Sequence, residues 1–160
     1  MTSEFTLYDS VAVDAHPEAV WAVLTDFSHQ QRWAGGSPVT VLTPPPLSVG
    51  SRFHERAKRG LFWANFDLVC TEWEPGRVFA WKARSFGVWG EHRWELRDHE
   101  GGTLIWDSER FWGPAPLILV ARAIFPLFGV KGIRRRLLES LAARARARAD
   151  VATSPGGEAP

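Results

Sequence analysis

The sequence predicts an α+β domain in which seven strands form one curved antiparallel sheet around a long C-terminal helix, with two short helices after the first strand. Three features carry that expectation. Apolar residues alternate with a period of two in seven separate segments, the signature of half-buried strands. From residue 37 onward these segments are joined by short turns rich in Pro and Gly, and connections that short join only antiparallel neighbours. The stretch "KGIRRRLLESLAARARARA", residues 131–149, then returns to a helical period.

The elements follow in order. "FTLYDSVAVDA", Phe5 to Ala15, places Phe5, Leu7, Val11 and Val13 on one side of a first strand. Asp14 or His16 can cap the next helix, Pro17 suits its first turn, and Ala19, Val20, Val23, Leu24 and Phe27 recur at helical spacing. "SHQQRW" reads as a second short helix stopped by Gly35-Gly36. Six strands follow, "PVTVLT", "SRFHERAK", "LFWANFDLVCTEW", "RVFAWKARS", "VWGEHRWEL" and "TLIWDSERFW", ending at Pro or Gly punctuation such as "EPG", "HEGG" and "GPAP". "PLILVARAIF" is turn-rich, broken by Pro126 and Gly129 before the long helix. That helix carries Ile133, Leu137, Leu138, Leu141, Ala142 and Ala145 on its apolar stripe. The tail from Asp150 to Pro160, rich in Gly, Pro and Ser, is expected to be disordered.

A chain of 160 residues with 45% hydrophobic side chains has the length and apolar content of one domain. The net charge of +1 hides a basic last third, Arg134 to Arg136 and then Arg144, Arg146 and Arg148. These read as a solvated helix face, with membrane-surface contact as the alternative. No nucleic-acid partner is expected, because the core needs the helix's apolar stripe. The lone Cys70 cannot form an internal disulfide, and the N-terminus lacks a basic segment followed by an apolar run, so the expected location is cytoplasmic. "PLILVARAIFPLFGV", broken by Arg122 and Pro126, is shorter than the roughly 20 residues a spanning helix needs. No Gly-rich phosphate loop opens a helix, and His16, His29, His54, His92 and His99 show no metal-ligand spacing. Neither a cofactor nor a metal is expected.

The pattern "DAHPEAVWAVLTDFSHQQRW" resembles the START-like or SRPBCC superfamily, whose helix-grip fold serves polyketide cyclases/dehydratases, lipid-transfer domains, plant ligand-binding proteins and Hsp90-activator-like proteins. Pro17, Val20, Trp21, Leu24, Asp26 and Trp33 carry the resemblance, followed by "LSVGSRF", "VCTEWEPGRVFAW" and "GGTLIW". It spans about residues 5 to 149, so residues 1–149 are expected to form one START-like ligand-binding domain, leaving 150–160 as a tail. The resemblance implies a hydrophobic cavity between sheet and C-terminal helix for a lipid, polyketide or other apolar small molecule. Members include enzymes and pure carriers, so function has to be read from the side chains facing that cavity.

"VWGEHRWEL" puts Val88, His92, Trp94 and Leu96 on one face of a strand, apolar apart from a single histidine. If "HEGG" is a four-residue loop, Leu96 faces Ile105, Trp94 faces Asp107, His92 faces Glu109 and Glu91 faces Arg110. A loop one residue longer would instead pair Leu96 with Leu104 and Trp94 with Trp106. In the first register the inner surface gathers Phe53, Glu55, Phe79, Trp81, His92, Trp94, Ile105, Asp107, Glu109 and Phe111, with Trp33 near the mouth. Aromatic walls suit a flat unsaturated ligand, and a carboxylate among them is costly unless paired. His92 with Glu109 or Asp107 is then a candidate acid/base pair for a cofactor-free cyclase or dehydratase acting on an aromatic or polycyclic molecule. A non-catalytic lipid carrier and an Hsp90-activator-like interaction module are the other classes, in either case as a monomer or homodimer.

Overall fold

Residues 1–30, 38–59 and 62–153 are described by a computed structural model of the chain. Strand β1 (Thr2–Val13) leads into helix α1 (Pro17–Leu24). The fixed φ of Pro17 suits the first helical position, and Val20 and Leu24, one turn apart, are buried. Residues 27–29 form a turn, and most of the second short helix expected over "SHQQRW" lies outside the described residues. Strands β2 (Val39–Val41), β3 (Arg52–Arg59), β4 (Phe62–Glu74), β5 (Val78–Ser85), β6 (Val88–His99) and β7 (Gly102–Pro114) follow, then helices α2 (Ala115–Ile124) and α3 (Val130–Thr153), joined by the 3₁₀ turn Phe125–Phe128. Helix α3 runs to Thr153, past the point where the sequence places the start of the tail.

The seven strands form one antiparallel sheet in the order β1-β7-β6-β5-β4-β3-β2, so the chain's first strand closes against its last. The β6–β7 hairpin takes the first of the two registers, with Leu96 opposite Ile105, Trp94 opposite Asp107 and His92 opposite Glu109. Its turn is only Glu100-Gly101, both at positive φ, as a primed two-residue turn requires. At Gly102 the next strand passes so close to β1 that a Cβ would lie 2.3 Å from the Val13 carbonyl oxygen. Beside it the buried Thr103 hydroxyl donates to the Ala15 carbonyl at 2.7 Å, tying the β1–α1 connection to β7.

The concave face holds the core. Val13, Val20, Leu24, Phe53, Phe79, Trp94 and Ile105 pack against Leu138, Leu141, Ala142 and Ala145 of α3. Along α3 the inward stripe is Arg134, Leu138, Leu141, Ala142 and Ala145, whereas Ile133, expected inward, is 46% exposed. Arg134 takes the inward place because β7 presents Asp107 and Glu109 there, and a cation satisfies them where an isoleucine would not. The tryptophans divide between the faces. Trp81 and Trp94 are buried inside. Outside, Trp89 stacks on Trp112 with centroids 6.1 Å apart, and Arg97 and Arg110 lie over Trp106 and Trp112.

Candidate functional site

The site is built where β6, β7 and α3 meet. Strand alternation puts His92 and Trp94 on the concave face of β6 and Asp107 and Glu109 on that of β7. His92 Nε2 lies 2.5 Å from Asp107 Oδ1, the carboxylate diagonal to it, and not on Glu109, the residue directly opposite. Of the two pairings the sequence offers, the structure makes the one with Asp107. Glu109 is taken by Arg134 instead: Nη1 donates to Glu109 Oε2 at 2.9 Å and Nη2 to Asp107 Oδ2 at 2.5 Å. Nη2 also reaches the carbonyls of Asp107 and Leu7 at 3.3 and 3.5 Å. The result is one chain of polar contacts, His92–Asp107–Arg134–Glu109.

Burial decides its electrostatics. The side chains of Asp107 and Arg134 are 3% and 6% exposed, while His92 and Glu109 are 24% and 28% exposed. Burial pushes the Asp107 carboxyl up, but His92 and Arg134 beside it outweigh that and hold it below its ordinary value. Asp107 therefore stays an anion that orients His92 rather than a proton donor. With Nε2 bonded to Asp107, the other ring nitrogen, Nδ1, takes no part in that contact. The imidazole also stacks on Trp94, with centroids 3.7 Å apart and planes 29° off parallel, which leaves it little rotational freedom.

The aromatic residues expected to line the cavity lie next to this chain of contacts. Trp81 is the cross-strand neighbour of His92 on β5, and Phe79 stacks on Trp94 at 5.4 Å with planes 9° apart. Phe53 meets Trp81 at 5.6 Å, and Phe27, between α1 and the sheet, meets Phe53 at 4.8 Å. Phe53, Phe79, Trp81, Trp94 and Ile105 are all buried and belong to one cluster. Phe111 sits further along β7 in a second aromatic group, stacked on Phe5 at 5.1 Å and met edge-on by Phe125 at 4.9 Å. Glu55 is half-buried on β3, opposite Val39 and Phe66, three strands along from His92. Trp33 lies outside the described residues.

Arg134 is the functional residue missing from the sequence reading, which placed the whole basic run on a solvated face. Its signal was spacing, four residues before Leu138 and seven before Leu141, hence on their stripe. Asp9, inward on β1 opposite Asp107, was also passed over; it accepts from Arg135 Nη1 at 3.2 Å. Among the described residues no three His, Cys, Asp or Glu side chains converge as a metal site would need.

Comparison with known proteins gives the family and the fold. The profile of the family described as polyketide cyclase / dehydrase and lipid transport matches residues 4–146. A search of curated proteins by sequence finds no match. Among solved structures, the Zhui aromatase/cyclase from Streptomyces sp. R1128 superposes with a TM-score of 0.77 at 16% identity, over 96% of this chain and 100% of that one. The di-domain ARO/CYC StfQ of the steffimycin biosynthetic pathway gives 0.76 at 12% identity, over 92% of this chain and 52% of that one. Norcoclaurine synthase from Thalictrum flavum, in complex with dopamine and hydroxybenzaldehyde, gives 0.68 at 11% identity, over 98% and 91%. At such identities the likeness is one of fold.

Proposed function

Because the chain belongs to the polyketide cyclase / dehydrase and lipid-transport family, we propose that it binds a hydrophobic, aromatic or polycyclic small molecule against the concave sheet face and moves protons on it through His92, without a cofactor. The observation that carries this reading is the contact of His92 Nε2 with a buried carboxylate whose other oxygen accepts from a buried arginine. Such an arrangement fixes the tautomer: Nε2–H donates to Asp107, and Nδ1 keeps its lone pair.

Nδ1 is then a general base for the acidic C–H between two carbonyls of a bound poly-ketone. The C–H electron pair becomes an enolate, whose carbon attacks a second carbonyl within the same molecule, and the proton held on Nδ1 passes to the new alkoxide. Loss of that hydroxyl as water, after a further deprotonation at carbon, completes a dehydration, with the same imidazole giving back the proton it takes. Asp107 stabilises the imidazolium formed in between. Arg134 and Glu109 position Asp107 and need not touch the substrate.

A carrier without catalysis is the second reading, favoured by one observation: Phe53, Phe79, Trp81 and Trp94 touch each other, as walls that part for a ligand by apolar contact alone would. One experiment separates the two. Anthraquinone binding is followed by tryptophan quenching, and base catalysis by hydrogen–deuterium exchange at C2 of 1-phenylbutane-1,3-dione. The native protein accelerates exchange over buffer, and His92→Gln lowers that acceleration by about 100-fold while anthraquinone affinity changes little. Binding without any acceleration by the native protein makes it a carrier, and equal exchange by native and His92→Gln proteins removes His92 from the chemistry.

A further inference from the structure

A second surface stands apart from the question of whether His92 catalyses. Helix α2 is turned inside out. Of its ten residues only Ile118 is buried, while Leu119 and Val120 are 63% and 58% exposed and Ile124 also faces outward. At helical spacing Leu119, Val120, Ala123 and Ile124 form one outward stripe opposite Ile118.

The β5–β6 turn stands beside this helix. A Cβ on Gly87 would lie 3.3 Å from Leu117 of α2, and one on Gly113 at the end of β7 would lie 3.0 Å from the Gly87 carbonyl oxygen. At the tip of that turn Phe86 is 95% exposed at φ 50°. That position of a primed turn favours Asn, Asp or Gly, and a bulky aromatic held there bears a local cost that no packing inside the protein returns.

Charge tells what the patch faces. The turn and its flanks, residues 75–90, contain no Asp or Glu, and neither do residues 111–138, which include α2 and the first turns of α3. The same two segments hold Lys82, Arg84, Arg122, Lys131 and Arg136, besides Arg77 at the far end of β5, which pairs with Glu74, and Arg134 and Arg135, which pair with Asp107, Glu109, Asp9 and Glu139. Arg84, Arg122, Lys131 and Arg136 are exposed. A second copy of the chain pairing through this patch would bring like charges together, whereas an apolar stripe flanked by the exposed Arg84, Arg122, Lys131 and Arg136 matches an anionic bilayer. No helix among the described residues is long and apolar enough to cross a membrane, so the contact lies in the interface plane.

We propose that Phe86 and the outward stripe of α2 insert together into the surface of an anionic phospholipid membrane, with the surrounding cations holding the headgroups. This surface differs from the basic C-terminal helix on which the sequence offers membrane contact as an alternative. Docked this way, the bilayer meets the end of the concave face where Phe5, Phe111 and Phe125 cluster, beyond Glu109.

Co-sedimentation with vesicles tests this. The full chain pellets with phosphatidylcholine vesicles carrying roughly 30 mol% phosphatidylglycerol, binds pure phosphatidylcholine at least about tenfold more weakly, and is released by salt near about 0.5 M. Phe86→Asn suits the left-handed turn position and keeps the fold, so a melting temperature at or above the native value with at least about tenfold weaker binding is the expected pair of results. The double variant Leu119→Gln/Val120→Gln weakens binding by a similar factor. Failure of the native protein to pellet with anionic vesicles overturns the proposal, as does binding unchanged in both variants. A native dimer that either variant converts to a monomer, with no vesicle binding, assigns the patch to a second copy instead.

Discussion

Arg134 serves two carboxylates with one buried guanidinium, and its removal would leave Asp107 charged and buried with only His92 beside it. Breaking one partner of a buried ion pair costs about 3–5 kcal/mol, most of it the penalty on the charge left behind. Arg134→Met is therefore expected to lower unfolding free energy by about that amount in urea titration, and to cost much less in an Asp107→Asn background. Equal losses in both backgrounds would mean that Arg134 contributes packing by its aliphatic stem and no charge pairing. His92 and Asp107 were legible in the sequence because a hairpin transmits its register: once "HEGG" is a tight turn, strand parity settles which residues point inward. The partner of His92 was not legible, since a direct and a diagonal carboxylate differ only in side-chain rotamer. Arg134 was hidden by its company, one arginine of three in a row, where composition suggests solvent and only the spacing to Leu138 and Leu141 points to the core.

At the scale of elements, α3 grips the sheet through a narrow stripe, and its residues differ sharply in what they bury. Leu141 is fully enclosed, so Leu141→Ala is expected to cost roughly 2–5 kcal/mol in thermal or urea unfolding. Ile133→Ala, on the exposed side, should stay within about 0.5 kcal/mol. A loss below about half a kcal/mol at Leu141 would mean that the helix does not grip the sheet. Strands and their order were readable because alternation and Pro/Gly turns are local signals, and β3 to β7 fall within a few residues of the segments read from sequence. Helix α2 was read as turn-rich for a physical reason. The helical period returns after Pro116, but α2 buries only Ile118 and leaves its apolar stripe outward, so the segment's apolar residues gave no inward face by which to separate a helix from turns.

Across the whole molecule, the two sheet faces respond differently to acid. On the convex face Arg97 and Arg93 hold Glu95 down to about 2 from an ordinary 4.5, with donor–acceptor distances of 2.8 and 2.6 Å. On the concave face Asp107 is also held below its ordinary 3.8, burial opposing and His92 and Arg134 prevailing. In both cases the folded carboxyl is more acidic than the unfolded one, so as pH falls the unfolded chain takes up protons first. The stability they supply is complete above the unfolded values and is lost as pH drops through them toward the folded ones. Urea midpoints should therefore be level from neutrality to about pH 5 and fall between 4.5 and about 2, the window set by Glu95. Glu95→Gln should lower the midpoint at neutral pH, flatten the acid limb and meet the native curve near pH 2. Because Glu95 and its arginines are partly exposed, salt should shrink the gap between native and variant. Asp107→Asn should likewise lower the midpoint at neutral pH, with the gap to the native curve constant down to about pH 3.8 and closing below it, since the unfolded carboxyl takes up its proton there before the folded one does. Native and Glu95→Gln curves that run parallel to pH 2 would show that the convex ion pairs contribute nothing to folding, leaving the acid response to the buried contacts of His92, Asp107 and Arg134.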